Sequence, residues 1–164
     1  MHKLGLKHWC NAALLLFVAG LLAGCAGQRL HTEGMSLIEQ GRAEEGLAKI
    51  EEASKVEPDN LTYRADLMRS RGQVTNRLLA AANSERAVGK LDSAQSIYER
   101  ILKIDPNNNS AKTGLEVLAM DRRHDAILED TRSLLKKGEL GNARSALKPV
   151  LLENPKNGQA SLLQ

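Results

Sequence analysis

The sequence predicts an all-α chain assembled from about three repeated helix pairs, and three observations carry that expectation. Only 2% of the residues are aromatic, and alanine, leucine, glutamate, arginine and lysine dominate, a composition that favours helix over strand. Gly41, Gly89 and Gly138 are each followed 17 residues later by a proline, at Pro58, Pro106 and Pro155. Between those markers, small or apolar residues recur at steps of 4 and 3, which is the spacing of one helical face.

The first element is not part of the repeat. Lys3 and Lys7 stand without an acidic neighbour, an apolar run extends from Ala12 to Leu22, and the small residues Ala23 and Gly24 lead into Cys25. The run is too short for a helix that needs about 20 apolar residues to cross a bilayer. Leu22-Ala23-Gly24-Cys25 resembles the lipobox of bacterial lipoproteins, a resemblance that covers residues 1–25. It implies that residues 1–24 are a signal peptide removed by lipoprotein signal peptidase, and that the Cys25 thiol carries a diacylglycerol group. Ala26 is not the aspartate associated with inner-membrane retention, so the implied address is the periplasmic face of the outer membrane.

Cleavage there changes the composition. Taking Lys3 and Lys7 from the 23 basic residues leaves 21 against 20 acidic ones, so the whole-chain pI of about 8.9 is no sign of a nucleic-acid-binding face. Trp9, Phe17 and Cys10 leave as well. Tyr63 and Tyr98 remain as the aromatics, and the one remaining cysteine is Cys25, so no disulfide or cysteine metal site is expected. The 140 residues from Cys25 onward suffice for one modest domain, with the repeats placed at 25–157.

In the first unit, Leu30 and Gly34 precede Gly41, and Gly46, Ile50 and Ala53 follow it. The second repeats this with Leu78 and Ala82 before Gly89, then Ala94, Tyr98 and Ile101. The third has Ile127 and Thr131 before Gly138, then Ala143, Leu147 and Val150. Each glycine permits a left-handed turn between two helices. Each proline halts the second helix, as in Glu57-Pro58-Asp59-Asn60 and Asp105-Pro106-Asn107-Asn108, where an asparagine is placed to cap the next one.

About fourteen additional residues stand before the second and third pairs, and they extend the first helices. In the second unit Leu67, Arg71, Val74, Leu78 and Ala81 continue at helical steps through Gly72. In the third, Asp121-Arg122-Arg123-His124-Asp125 interrupts the apolar face, so a continuous helix and a broken one are both open there. Pro149 is expected to bend or shorten the last second helix. A further helix opens at Gly158 and reaches Gln164 within two turns without a polar capping element, which predicts a longer polypeptide in which 158–164 starts another unit.

The helix pairs resemble the tetratricopeptide repeat, through the small residue on the second helix and the terminal Asp-Pro-Asn. The closest stretch is Ile97-Tyr98-Glu99-Arg100-Ile101-Leu102-Lys103-Ile104-Asp105-Pro106-Asn107-Asn108. The period departs from that family: 48 and then 49 residues separate the glycines, where the family repeats every 34 or so. The resemblance implies a helical solenoid with extended first helices. A second resemblance rests on Ala111 to His124, on Leu134-Leu135-Lys136-Lys137-Gly138-Glu139-Leu140 and on Leu147 to Pro155. These stretches are similar to the N-terminal region of lipoprotein secretins, the outer-membrane channels of type II secretion and type IV pilus systems. That implies a periplasmic module which joins other subunits of the assembly and is homo-oligomeric as part of a secretin. A free-standing accessory lipoprotein of the pilotin kind is the other reading of the same features.

No catalytic constellation emerges, and neither an enzyme nor a cofactor is expected. His31 and His124 lack metal-ligand spacing, and His124 between Asp121 and Asp125 reads as a solvated helix face. Glu44-Glu45 and Glu51-Glu52 are adjacent in sequence and diverge on a helix. Gly138-Glu139-Leu140-Gly141 lacks the Lys-Ser or Lys-Thr of a phosphate loop. Binding remains, and helical repeats bind extended segments or helices of partners. The candidate residues are Arg64, Arg69, Arg71 and Arg77, with Arg86, read either as a strip for an acidic protein partner or as an exposed face balanced by Asp66, Glu85 and Asp92.

Overall fold

A computed structural model describes residues 26–164, which form seven helices and no strand among the described residues. The lipobox Leu22, Ala23 and Gly24 and the lipidation residue Cys25 lie outside the described residues. In order the helices are α1 (residues 26–39), α2 (Ala43–Val56), α3 (Leu61–Ala87), α4 (Leu91–Ile104), α5 (Asn109–Lys136), α6 (Leu140–Glu153) and α7 (Gly158–Leu162). The chain divides into two units, one ending at Arg77 and one running from Leu78 to Gln164, so the boundary falls inside α3.

The same turn recurs at all three glycines. Gly41, Gly89 and Gly138 have φ of 84°, 77° and 78°. In each, the glycine N–H donates three residues back and the next N–H donates five back: Gly41 to Ile38 and Arg42 to Leu37, Gly89 to Arg86 and Lys90 to Glu85, Gly138 to Leu135 and Glu139 to Leu134. This pairing satisfies carbonyls left over at a helix end and requires a left-handed residue between them. The proline turns are equally regular. Asn60, Asn108 and Asn157 donate backbone N–H bonds of 3.1, 3.1 and 3.0 Å to Glu57, Asp105 and Asn154. Their side-chain oxygens then accept from the first turn of the following helix, at Tyr63, Ala111 and Ala160.

Most of the face expected to be buried is buried, with Leu30, Leu78 and Ile127 half-buried. Ile50, Ala53, Ala82, Ala94, Tyr98, Ile101, Thr131, Ala143, Leu147 and Val150 are all essentially without exposure, and Gly34 and Gly46 are buried with them. In the second unit α5 serves two cores. Its Ala111 and Leu118 pack with Ala82, Ala94, Tyr98 and Ile101, while its Leu128 packs with Leu147, Val150 and Ala160. Such double duty requires length, which explains why α3 and α5 have 27 and 28 residues where α2, α4 and α6 each have 14.

One open alternative is decided and one expectation is corrected. The Asp121–Asp125 stretch does not break α5, and His124 within it is buried. Pro149 does not shorten α6: it lies on the exposed side, one turn before the helix end, and that helix matches α2 and α4 in length. There the missing N–H costs a single bond, at a carbonyl that water can reach.

Candidate functional site

In the second unit α4 packs against the first turns of α5, and the corresponding sequence positions of the first unit carry different residues. In the second unit Tyr98 projects from α4 and is only 1% exposed. Its hydroxyl donates to Asn83 Oδ1 on α3 at 2.6 Å, and its ring lies against Gly114 of α5, where a Cβ would collide with it. Above the ring is an open groove of about 370 Å³, walled by Asn83 and Arg86 of α3 and by Asn109, Ser110, Thr113 and Val117 of α5. Arg86 Nη1 donates to Asp121 at 3.0 Å, which holds the guanidinium at the groove's end. The groove therefore presents amides, hydroxyls and one cation, and none of its lining residues is a carboxylate.

In the first unit the equivalent residue to Tyr98 is Ile50 and the equivalent to Gly114 is Asp66, 48 residues earlier. Asp66 Oδ2 lies 3.0 Å from His31 Nε2, and Arg69 donates to its other oxygen at 2.9 Å. The His31 ring stacks on Tyr63, with centroids 4.7 Å apart and planes at 21°. Tyr63 donates to Gln28 at 3.3 Å, and burial, helped by the nearby Glu57 charge, pushes its phenol up.

The arginine candidates do not form one free strip. Arg64, Arg69 and Arg77 are exposed, whereas Arg71 is half-buried, 3.6 Å from Glu51, with its Nε lacking a hydrogen-bond partner. Of the expected balancing residues, Asp66 pairs with Arg69, Glu85 with Lys90 at 3.8 Å and Asp92 with Arg122 at 2.5 Å. His124 is likewise corrected: it is 3% exposed instead of solvated, and its Nε2 is 2.9 Å from Glu153 Oε2 on α6. That oxygen also accepts from Arg123 at 3.2 Å. The His124 hydrogen bond, then that of Arg123, holds the Glu153 carboxyl below the usual carboxylate range.

Among the described residues no three histidine, cysteine or acidic side chains are grouped so as to hold a metal ion, and no helix is long and apolar enough to cross a membrane. The groove residues Asn83, Ser110 and Thr113 carry no motif of their own. The one signal for them in the sequence is the large Tyr98 in a place where the other units have Ile50 and Leu147. The chain matches no model of a known protein family, and no curated protein is significantly similar to it.

Proposed function

We propose that this chain is a lipid-anchored module of tetratricopeptide-like repeats that binds proteins at the periplasmic face of the outer membrane. In this reading it is the N-terminal docking part of a secretin subunit, acting in protein secretion or type IV pilus biogenesis without catalysis or a cofactor. The observation that supports binding most directly is the groove over Tyr98, whose amide and hydroxyl lining suits the backbone of an extended segment. The anchor rests on Leu22-Ala23-Gly24-Cys25, and the secretin assignment on the stretches around Ala111 to His124 and Leu147 to Pro155.

The test is a photo-reactive side chain placed at Thr113 in the groove and expressed in a secreting bacterium. The expected product is an adduct with a subunit of the secretion or pilus assembly, lost on Gly114→Arg, together with an intact mass for the native polypeptide well beyond that of residues 25–164. A mass equal to that of the acylated 25–164 chain would move the reading to the accessory lipoprotein. No adduct from a folded chain would remove the groove from the function.

A further inference from the structure

The first unit carries an exposed face that the binding groove does not use. On α3, Leu61, Ala65, Met68 and Gly72 follow one another at steps of 4, 3 and 4, and all are exposed. Leu61 is 72% and Met68 75% exposed. Arg64 borders the stripe on one side and Arg69 on the other. From Glu57 to Arg77 the only carboxylates are Glu57, Asp59 and Asp66. Asp66 is held by His31 and Arg69, and Glu57 is half-buried and bonded to Asn60, which leaves Asp59 as the one exposed acid.

The position of this face matters as much as its composition. Helices α1 and α3 run in the same direction, with Gln28 at Tyr63, His31 at Asp66 and Met35 at Ser70. Gly27 lies so close to the Glu57 side chain that a Cβ there would collide with it. The residues just after Cys25 are thus fixed beside Glu57 and the first turn of α3. Arg29, exposed, lies four residues from Cys25.

We infer that the Leu61–Met68 stripe with Arg64 and Arg69 is a membrane-docking face that lies on anionic phospholipid headgroups and fixes the first unit's orientation against the bilayer. The inference rests on the proposed lipid anchor. A chain tethered at Cys25 would hold Leu61 at the bilayer surface in any case, but only an attractive face would bring Met68, two turns further along α3, into the interface. On such a surface leucine and methionine would enter the headgroup boundary, and the arginines beside them would meet lipid phosphates.

The experiment uses the acylated chain reconstituted into vesicles, with a single introduced cysteine carrying an environment-sensitive fluorophore at Met68→Cys. A second chain carries it at Gln40→Cys, at the opposite end of α1 and about 20 Å along its axis. Quenchers are attached to lipid headgroups, and vesicles are either wholly zwitterionic or contain anionic phosphatidylglycerol. The expected result is strong quenching of the Met68 probe in anionic vesicles only. It should fall severalfold on Arg64→Gln with Arg69→Gln, and also in about 1 M salt, where screening shortens to about 3 Å. The Gln40 probe should stay unquenched. A chain that floats with the vesicles while the Met68 probe is equally unquenched in both lipids would overturn the docking face and leave the anchor standing. A chain that does not float at all would remove the anchor, and the docking face with it.

Discussion

The junctions at Ile50–Asp66 and Tyr98–Gly114 occupy the same place in successive repeats, yet glycine does its work at different points in them. In the first unit the close approach is between α1 and α2. A Cβ on Gly34 would stand 2.7 Å from the Gly46 carbonyl oxygen, and one on Gly46 only 2.5 Å from that of Gly34. There the following junction has room for a carboxylate, and Asp66 is used to tie His31 and Arg69 together. In the second unit the equivalent positions hold Ala82 and Ala94, and Tyr98 is buried beside them. The ring then needs a residue without a side chain on α5, and Gly114 supplies it. One backbone plan is thus realised with two side-chain solutions, one tied by the His31–Asp66 hydrogen bond and one leaving a groove.

The comparison is broken most severely by removing the ring. Tyr98→Ala should cost about 3–5 kcal/mol in urea denaturation, as a buried aromatic truncation does, and should abolish the proposed cross-linking from Thr113. Tyr98→Phe should cost about 1 kcal/mol, the value of the bond to Asn83. A similar small loss for both variants would mean that the ring does not support the core.

Gly114→Asp copies the first unit's residue into the second and should cost about 1–3 kcal/mol by overpacking against the ring. Adding Tyr98→Ile, which completes the copy, should recover part of that loss, with a coupling of about 0.5–3 kcal/mol in a double-mutant cycle. Simple additivity of the two changes would show that the residues are not matched to one another.

The glycine crossing can be sharpened by exchanging its chemistry. Gly34→Ala should destabilise by about 1–3 kcal/mol even though alanine is the better helix former, because the atom it meets is a helix carbonyl that cannot yield. Ala82→Gly, at the equivalent place, should lose about 0.5–1 kcal/mol for the opposite reason, added backbone freedom in the unfolded chain. A stabilising Gly34→Ala would place the two helices further apart than the Gly46 contact requires.

The smallest effect concerns the electrostatic tie in the second unit. The folded Glu153 carboxyl lies below its unfolded value of about 4.3. Its contribution is therefore complete above that value and disappears as pH falls through the folded one. Glu153→Gln should lower the melting temperature at pH 7 by a modest amount, and the difference from the parent should vanish under more acidic conditions. A difference that persisted unchanged in acid would assign the effect to packing around His124 instead of to charge.

Much of the backbone was legible because it rests on residues with unusual conformational rules. Glycine at a positive φ and proline after a helix stop mark the helix ends whatever surrounds them, so all three turns and the buried faces around Gly46, Ala94 and Ala143 could be placed. Three features were misread or left open: His124, Pro149 and the continuity of α5. Each depends on which way a residue faces, and a local run of charges such as Asp121–Asp125 does not contain that information. His124 is buried and meets Glu153, 29 residues away. The groove was illegible for the same reason, since Asn83, Tyr98 and Thr113 come from three helices.

By itself the sequence determined the helical class, the three left-handed turns, the asparagine caps and the small residues at the crossings, because these follow from steric and hydrogen-bonding rules that act within a few residues. Only the tertiary structure decided that α3 and α5 run unbroken and that Gly114 yields space to Tyr98. It also decided that Asp66 is tied to His31 and that an apolar stripe bordered by arginines stays uncovered on α3. Those outcomes turn on distances between helices, which are set by the packing of residues far apart in the chain.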